Sequence, residues 1–390
     1  MTASVRSQSV DEGANLPLNG IRVIEMSHMV MGPTCGMVLE QLGAHVTKVE
    51  PIGGDKTRQL KGMGVSFFPL FSRGKQSVEL DLKSEAGQAE LHRLLSQADV
   101  FIENFKDDTV SRMGLDAATL RARYPDLIVC SHKGFLSGPY EHRPALDEVV
   151  QMMTGLAYMT GSRERPLRAG ASVNDIMGGL FGVIGILAAL LDHNKGKRGA
   201  EVRVGLFENC LFIVAQHLVQ NQLTGLPVPP MSQRTHAWPV YDIFDTADGE
   251  RLFVAVTTDG SWKAFCKTFD LQELLDDAGL QSVPDRIAAR DRTVPVIAAR
   301  LRGYAIADLE RSLDRLSIPF ARIAAPEDML DDPHVQRPGG LVSATLPDGS
   351  EIRIPSLPFE YNGRVMSHDT VVAPLNSDSR PLEERKDERV

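Results

Sequence analysis

Cysteine is scarce in this chain of 390 residues: Cys35, Cys130, Cys210 and Cys266 lie far apart, with no C-x-x-C pair. That spacing indicates neither a disulfide framework nor a zinc motif, and it fits a reducing, cytoplasmic setting with no metal expected. A basic excess is also missing. The 42 Lys and Arg residues are outnumbered by 51 Asp and Glu, for a net charge of -9. Broad nucleic-acid binding needs a basic surface, so that class is set aside; a small polyanionic ligand needs only a few local cations. Residues 1–15 have no apolar core, so no secretory leader is expected there and the stretch reads as a disordered tail. The longest uncharged run, Ile176 to Leu191, is short for a bilayer span and holds Gly178, Gly179, Gly182 and Gly185. Burial inside a protein accounts for it better than a membrane does. There is no internal repeat.

What is present is an alternation of strand and helix signals. Ile21 to Met26 reads as a buried strand, followed by a helix over Thr34 to Leu42 that Gly43 ends. Ala44 to Glu50 and Gln76 to Leu82 read as strands. Ser84 to Gln97 is helical with Ser84 as its cap, and Asp99 to Phe105 and Leu127 to Ser131 are two further strands. Strands separated by helices pair in parallel, so the fold expected is α/β, a doubly wound, Rossmann-like parallel sheet. Ligands in such sheets sit at the C-terminal strand ends. The composition shifts at the Pro/Gly-rich stretch Gly225 to Pro230. Beyond it, Leu252 to Thr257 is strand-like, and Ser261 to Phe269, Val294 to Leu301 and Ile306 to Leu316 are helical. The domain reading is a large α/β domain over 16–224, a smaller α+β domain over 225–330 and a C-terminal segment over 331–390. That last segment returns to the large domain, with a turn at Pro347-Asp348-Gly349 and a frayed end from Arg380.

The first strand–helix turn carries Gly32-Pro33-Thr34-Cys35-Gly36 rather than G-x-G-x-x-G, which disfavours a conventional dinucleotide site. The most informative residue is Asp175, in Ser172-Val173-Asn174-Asp175-Ile176-Met177-Gly178-Gly179, because a lone carboxylate opens the apolar run. Such a residue is either a helix cap or a reacting group. Asp147 and Glu148 read as helix-start charges, and Trp238 and Tyr241 as acceptor-site or packing aromatics.

Several segments carry a family resemblance: Leu18-Asn19-Gly20-Ile21-Arg22-Val23-Ile24-Glu25, Leu42-Gly43-Ala44-His45-Val46-Thr47-Lys48-Val49-Glu50-Pro51, Arg73-Gly74-Lys75-Gln76-Ser77, Glu103-Asn104-Phe105 and Pro144-Ala145-Leu146-Asp147-Glu148-Val149-Val150-Gln151. In this order the chain resembles a class III CoA-transferase, the family of formyl-CoA and carnitine CoA-transferases, from about Leu18 to Phe359. The resemblance implies that Asp175 is the nucleophile of covalent aspartyl chemistry between an acyl-CoA and a free carboxylic acid. A carboxylate is ionised at neutral pH, so no separate base is needed. Backbone N–H groups near Gly178-Gly179 could steady an oxyanion, helix packing being the rival role for those glycines. Coenzyme A, the expected cofactor-like substrate, needs cations and an apolar wall. The resemblance places its contacts at Phe71, Arg73, Lys75, Asn104, Phe105, Lys106, Arg112 and Lys133. It also implies a homodimer of interlocked chains.

Two departures stand out. Pro51-Ile52 replaces an arginine found in some relatives, with Arg58 or Lys56 as compensating cations, and residues 234–239 carry no glycine run, which puts formate and oxalate in doubt as substrates. The alternative reactions are α-methylacyl-CoA racemisation and a non-catalytic CoA-binding subunit. The racemase relatives have a histidine where this chain has Leu146, which cannot carry a proton. The acids exchanged stay open.

Overall fold

A computed structural model describes residues 16–196, 198–233 and 236–377. The tail expected over 1–15, the fraying expected from Arg380 and the first two positions of the 234–239 loop lie outside the described residues. The chain divides into two compact units, Met1–Ser232 with Pro333–Val390, and Gln233–Asp332.

The first unit is built on six parallel strands: β1 (Arg22–Met26), β2 (His45–Glu50), β3 (Gln76–Glu79), β4 (Val100–Glu103), β5 (Ile128–Lys133) and β6 (Glu201–Gly205). Their spatial order is β3-β2-β1-β4-β5-β6, all pairs parallel. This is the doubly wound arrangement the alternating pattern calls for, reversing direction between β1 and β4, where ligand crevices form in such sheets. The helices are α1 (Met31–Gln41), α2 (Phe67–Phe71), α3 (Glu85–Leu95), α4 (Asp107–Arg112), α5 (Ala117–Arg123), α6 (Asp147–Thr154), α7 (Leu156–Thr160), α8 (Val173–His193) and α9 (Leu206–Thr224). Two of this unit's buried apolar clusters pack the sheet against its helices. One joins Val23, Ile102 and Ile128 to Val38 of α1 and Ile186 of α8; the other joins Ile24, Phe101 and Val129 to Leu91 of α3 and Leu120 of α5. Strands buried on both faces read as continuous apolar runs for this reason.

Local chemistry sets several boundaries. Ser84 caps α3 by accepting the N–H of Gly87, as its position implies. Gly43 takes φ +101° just past α1, a left-handed turn that glycine adopts without strain. Helix α1 starts three residues earlier than expected, because Pro33 fits a first turn, where its missing N–H costs nothing. Strand β5 runs two residues further than expected, so His132 and Lys133 are its last residues rather than loop.

Helix α8 packs on α1, and its glycines make that approach possible. A Cβ at Gly178 would lie 2.4 Å from Met31 Cε, one at Gly179 2.6 Å from the Met31 carbonyl oxygen, and one at Gly182 2.5 Å from His132 Nε2. The Gly178-Gly179 pair therefore serves helix packing. By length and composition α8 could cross a bilayer, yet it packs on α1 and β5 as the core helix of a folded domain does. Its outer side and that of α9 leave Ile184, Leu191, Phe212 and Leu223 exposed.

The C-terminal segment forms the antiparallel pair Leu341–Thr345 and Glu351–Pro355, turning at Gly349, with Thr370–Val371 alongside. It then reaches the outer strand β3. The Gly74 N–H donates to the Val371 carbonyl at 3.0 Å, Ser77 N–H to Ser377 Oγ at 3.0 Å and Glu79 N–H to Asn376 Oδ1 at 2.7 Å.

The second unit has the antiparallel strands Val240–Asp245, Arg251–Val256 and Phe320–Arg322. Its helices include Asp259–Thr268, Arg290–Leu301 and Ile306–Arg315, and Trp262, Phe265, Leu301 and Leu309 fill its core. Trp238 is exposed, its carbonyl accepting from Arg290, while Tyr241 packs edge-on against Phe253.

Candidate active site

A cleft of about 350 Å³ opens at the C-terminal ends of β4 and β5. That volume is ample for part of a cofactor-sized ligand. Four of the eight residues expected to contact CoA line it: Asn104, Phe105, Lys106 and Lys133. Asn104 bridges β4 to the β1–α1 loop, since its Oδ1 accepts from His28 N–H at 3.1 Å and its Nδ2 donates to the His28 carbonyl at 2.8 Å. The Phe105 ring lies 5.5 Å from the His28 ring, the two tilted by 39°. Lys106 precedes α4 and is exposed.

Lys133 is differently placed from a free phosphate clamp. Its ammonium reaches the Phe105 carbonyl at 2.8 Å, Glu103 at 2.8 Å and Asp107 at 2.9 Å. Its ammonium is thus engaged by one carbonyl and two carboxylates, and Glu103 is buried, so Lys133 ties the strand ends together beside the cleft.

The other four lie elsewhere. Phe71 is a core residue. Arg73 is buried, with Nη1 donating to the Leu70 carbonyl at 2.6 Å, and burial lowers its pKa. Lys75 is buried with its ammonium on Glu25 at 2.5 Å and the Pro33 carbonyl at 2.8 Å; burial pulls its pKa down to about 8. Glu25 also pairs with Lys48 at 3.3 Å. Arg112 is exposed in α4, bonded to the Asp108 carbonyl and outside the cleft lining. Arg73 and Lys75 thus point into the protein, because a burial pattern cannot be read from the charge of a residue next to a strand. Nor does Arg58 compensate for the missing arginine, since it forks onto Glu50 at 2.7 and 2.6 Å; Lys56 is exposed.

Sequence reasoning missed His142 and Arg143, which also line the cleft. Their signal was available in Glu141-His142-Arg143, just ahead of the segment Pro144 to Gln151. The lining continues through Ala145 into α6, and α6 leads to Asp175.

Asp175 is the third residue of α8, half-buried, and not its cap. Its backbone N–H donates to Asp147 Oδ2 at 3.0 Å. Asp147 Oδ1 accepts from Gln151 Nε2, and Gln151 Oε1 accepts from Ala169 N–H at 2.9 Å. Beneath, Asn209 Nδ2 donates to the Asn174 carbonyl at 2.7 Å, and Asn174 Nδ2 to the Leu206 carbonyl at 3.1 Å. The first turn of α8 is therefore fixed from α6 and α9 together. Burial, and then the nearby Asp147 charge, push the Asp175 carboxyl up to about 7, against a smaller pull from Arg168. The expectation of a fully ionised carboxylate at neutral pH is corrected, because a dry site and a like charge both favour the proton. Asp147 does stand at a helix start, but it also holds Asp175.

His132 lies under Gly182 with neither ring nitrogen hydrogen-bonded, and burial lowers its pKa to about 4. Its ring nitrogen and the Cys35 and Cys130 sulfurs lie within 4.8 Å of one another, all buried. These three are the described group that could hold a metal, assembled by α1 and β5 across a separation that motif spacing cannot register.

The profile of CoA-transferase family III matches residues 18–376. The chain belongs to this family. Succinate–glutarate CoA-transferase of Agrobacterium fabrum is 33% identical over 349 residues, covering 86% of this chain and 87% of that protein. Succinyl-CoA–D-citramalate CoA-transferase of Chloroflexus aurantiacus is 30% identical over 346 residues, covering 87% and 86%. A crystal structure of a CAIB/BAIF family protein from Brucella suis matches with a TM-score of 0.84 at 28% identity, over 95% of this chain and all 100% of that one. As a family III member the chain is a CoA-transferase, with acyl-CoA thioesters as its substrates.

Proposed function

We propose that the protein moves CoA between carboxylic acids through covalent intermediates on Asp175. The observation that carries this reading is the half-buried Asp175 in the first turn of α8, its backbone N–H held by Asp147, two residues beyond the cleft residue Ala145. An Asp175 oxygen attacks the thioester carbonyl carbon, the C–S bond breaks, and a mixed anhydride and CoA thiolate result. The thiolate attacks the aspartyl carbonyl, releasing the donor acid and leaving an aspartyl–CoA thioester. The acceptor carboxylate then attacks that thioester, freeing the thiolate, which takes the acceptor acyl group and restores the Asp175 carboxylate. No proton is gained or lost overall, so the cycle needs no acid–base pair.

Phe105 offers a surface for the adenine, and Lys106 and Arg143 offer cations for the phosphates. The relatives' names pair succinyl or succinate groups with other dicarboxylates, glutarate and citramalate, which makes dicarboxylates the acids of choice here. The exposed apolar sides of α8 and α9 suit coverage by a second copy, giving a homodimer. Four free, buried cysteines suit a reducing cytoplasm.

Trapping tests the mechanism. Protein incubated with succinyl-CoA and then hydroxylamine or borohydride should carry a modification at Asp175 alone by peptide mass spectrometry, and Asp175→Asn should carry none. Full turnover in that variant would exclude the covalent route. Racemisation is separated by deuterium wash-in at the α-carbon of a 2-methylacyl-CoA, which is expected to be absent because Leu146 stands exposed where a base would be needed.

A further inference from the structure

Arg168 stands beside the Asp147–Asp175 pair with a guanidinium that the protein leaves under-used. Its Nη2 is buried and has no hydrogen-bond partner. The neighbouring carboxylates are too far for hydrogen bonds: Asp147 Oδ1 is 3.8 Å from Nη2, and Glu148 Oε2 is 4.0 Å from Nη1. Only Nε is engaged, donating to the Ala169 carbonyl at 3.1 Å. An arginine offers five donors in a rigid fork, matched to a carboxylate's two oxygens.

Asp147 does not account for this placement. Its two oxygens already accept from Gln151 Nε2 and Asp175 N–H. The segment carrying Arg168 is itself held, through the Ala169 N–H on Gln151. The fork thus stands near Asp147 and Asp175 with a buried Nη2 that pairs with Asp147 only at ion-pair distance and makes no hydrogen bond. A buried donor without a partner is costly unless a ligand completes it.

We propose that Arg168 binds the second carboxylate of a dicarboxylic acid whose first carboxylate reacts at Asp175. The proposal rests on the reading of Asp175 as nucleophile. A monocarboxylic acid brings a single charge, which the reaction itself uses. A dicarboxylic acid must leave a second charge in a partly dry site already bearing Asp147, Asp175 and Glu148, and Arg168 is the cation there to meet it. Lysine would supply the charge without the fork, so it should substitute only in part.

The test is exchange of labelled acid into its own CoA ester, with glutarate and butyrate compared, in wild type, Arg168→Lys and Arg168→Ala. Pairing each acid with its own ester keeps donor and acceptor chemically matched. The Ala variant should lose roughly 10- to 100-fold more kcat/KM with glutarate than with butyrate, the scale of one charge-assisted hydrogen-bonded pair. Most of that loss should lie in KM, and Lys should recover part of it. Should the Ala variant fail to fold, Arg168→Gln carries the same comparison. A rise in wild-type Tm with glutarate but not with butyrate reads the subsite with no variant at all. Equal losses with both acids, or a wild type as efficient with butyrate as with glutarate, overturn the proposal. The underlying reading is checked separately. If Asp175→Asn still exchanged acids while the Arg168 variants lost their preference for glutarate, the subsite would stand and the nucleophile assignment would fall.

Discussion

Asp175→Asn should make the protein more stable as well as inactive, and the gain should grow with pH. In the folded protein the Asp175 carboxyl is raised from an ordinary 3.8 to about 7. Between those values the folded chain keeps a proton that the unfolded chain has released, so stability falls as pH rises from about 4 to about 7 and stays reduced above. At 1.36 kcal/mol per pH unit, the cost of ionising Asp175 approaches about 4 kcal/mol at pH 8, and about 1.6 kcal/mol at pH 5. These are upper bounds, since the residue keeps some solvent contact, which screens the penalty. A realistic gain for the Asn variant at pH 8 is roughly 1–3 kcal/mol, or about 1–4 °C in Tm for a chain of this length. The bond to Asp147 comes from the Asp175 backbone, so Asn leaves it intact. Scanning calorimetry of wild type and variant at pH 5 and pH 8 measures the difference, with turnover assayed alongside. A variant whose stability relative to wild type is the same at both pH values would refute the claim that the carboxylate is held strained.

Four further outcomes follow from the geometry. In wild type, kcat/KM should rise through about pH 7 as Asp175 ionises, and Asp147→Asn, which removes the adjacent charge, should move that rise to lower pH in a pH–rate profile. Lys106→Ala should weaken CoA binding by about 1.5 kcal/mol in titration calorimetry with little loss of stability. Lys133→Ala should instead unfold more readily, by about 3–5 kcal/mol in denaturant titration, because it strands the buried Glu103. Phe212→Asp combined with Leu223→Asp should convert the homodimer proposed above to monomer in light scattering, with the folded signal retained.

The parallel sheet was legible because each of its inner strands is a short apolar run bounded by turn residues, and the 3.6-residue periodicity of the intervening helices is strong. Asp175 was legible for a related reason: a charge at the edge of sixteen uncharged residues is conspicuous. What could not be read was direction. Arg73 and Lys75 have the composition of a phosphate site, yet Lys75 faces Glu25, fifty positions earlier in the chain. Asp147 and Arg168 were ordinary surface charges by every local rule. They gain their roles only from folding α6 and the segment before α8 against Asp175, contacts that no periodicity encodes. Helix and strand ends moved by two or three residues, enough to change Asp175 from a cap to a member of the first turn.

The way the C-terminal segment seals β3 also has a consequence for how the chain is made. Strand β3 is the outer strand of the sheet, and the groups that close it come from Val371, Asn376 and Ser377. Ser77 and Ser377 are separated by 300 residues. At about 5–20 residues per second of synthesis, roughly 15–60 s pass between the emergence of the strand and that of its cover. Throughout that interval the nascent sheet presents an open row of N–H and C=O groups to its neighbours on the polysome. Chains cut before Val371 would keep that edge permanently and should accumulate as aggregates even though all six strands of the parallel sheet have been synthesised.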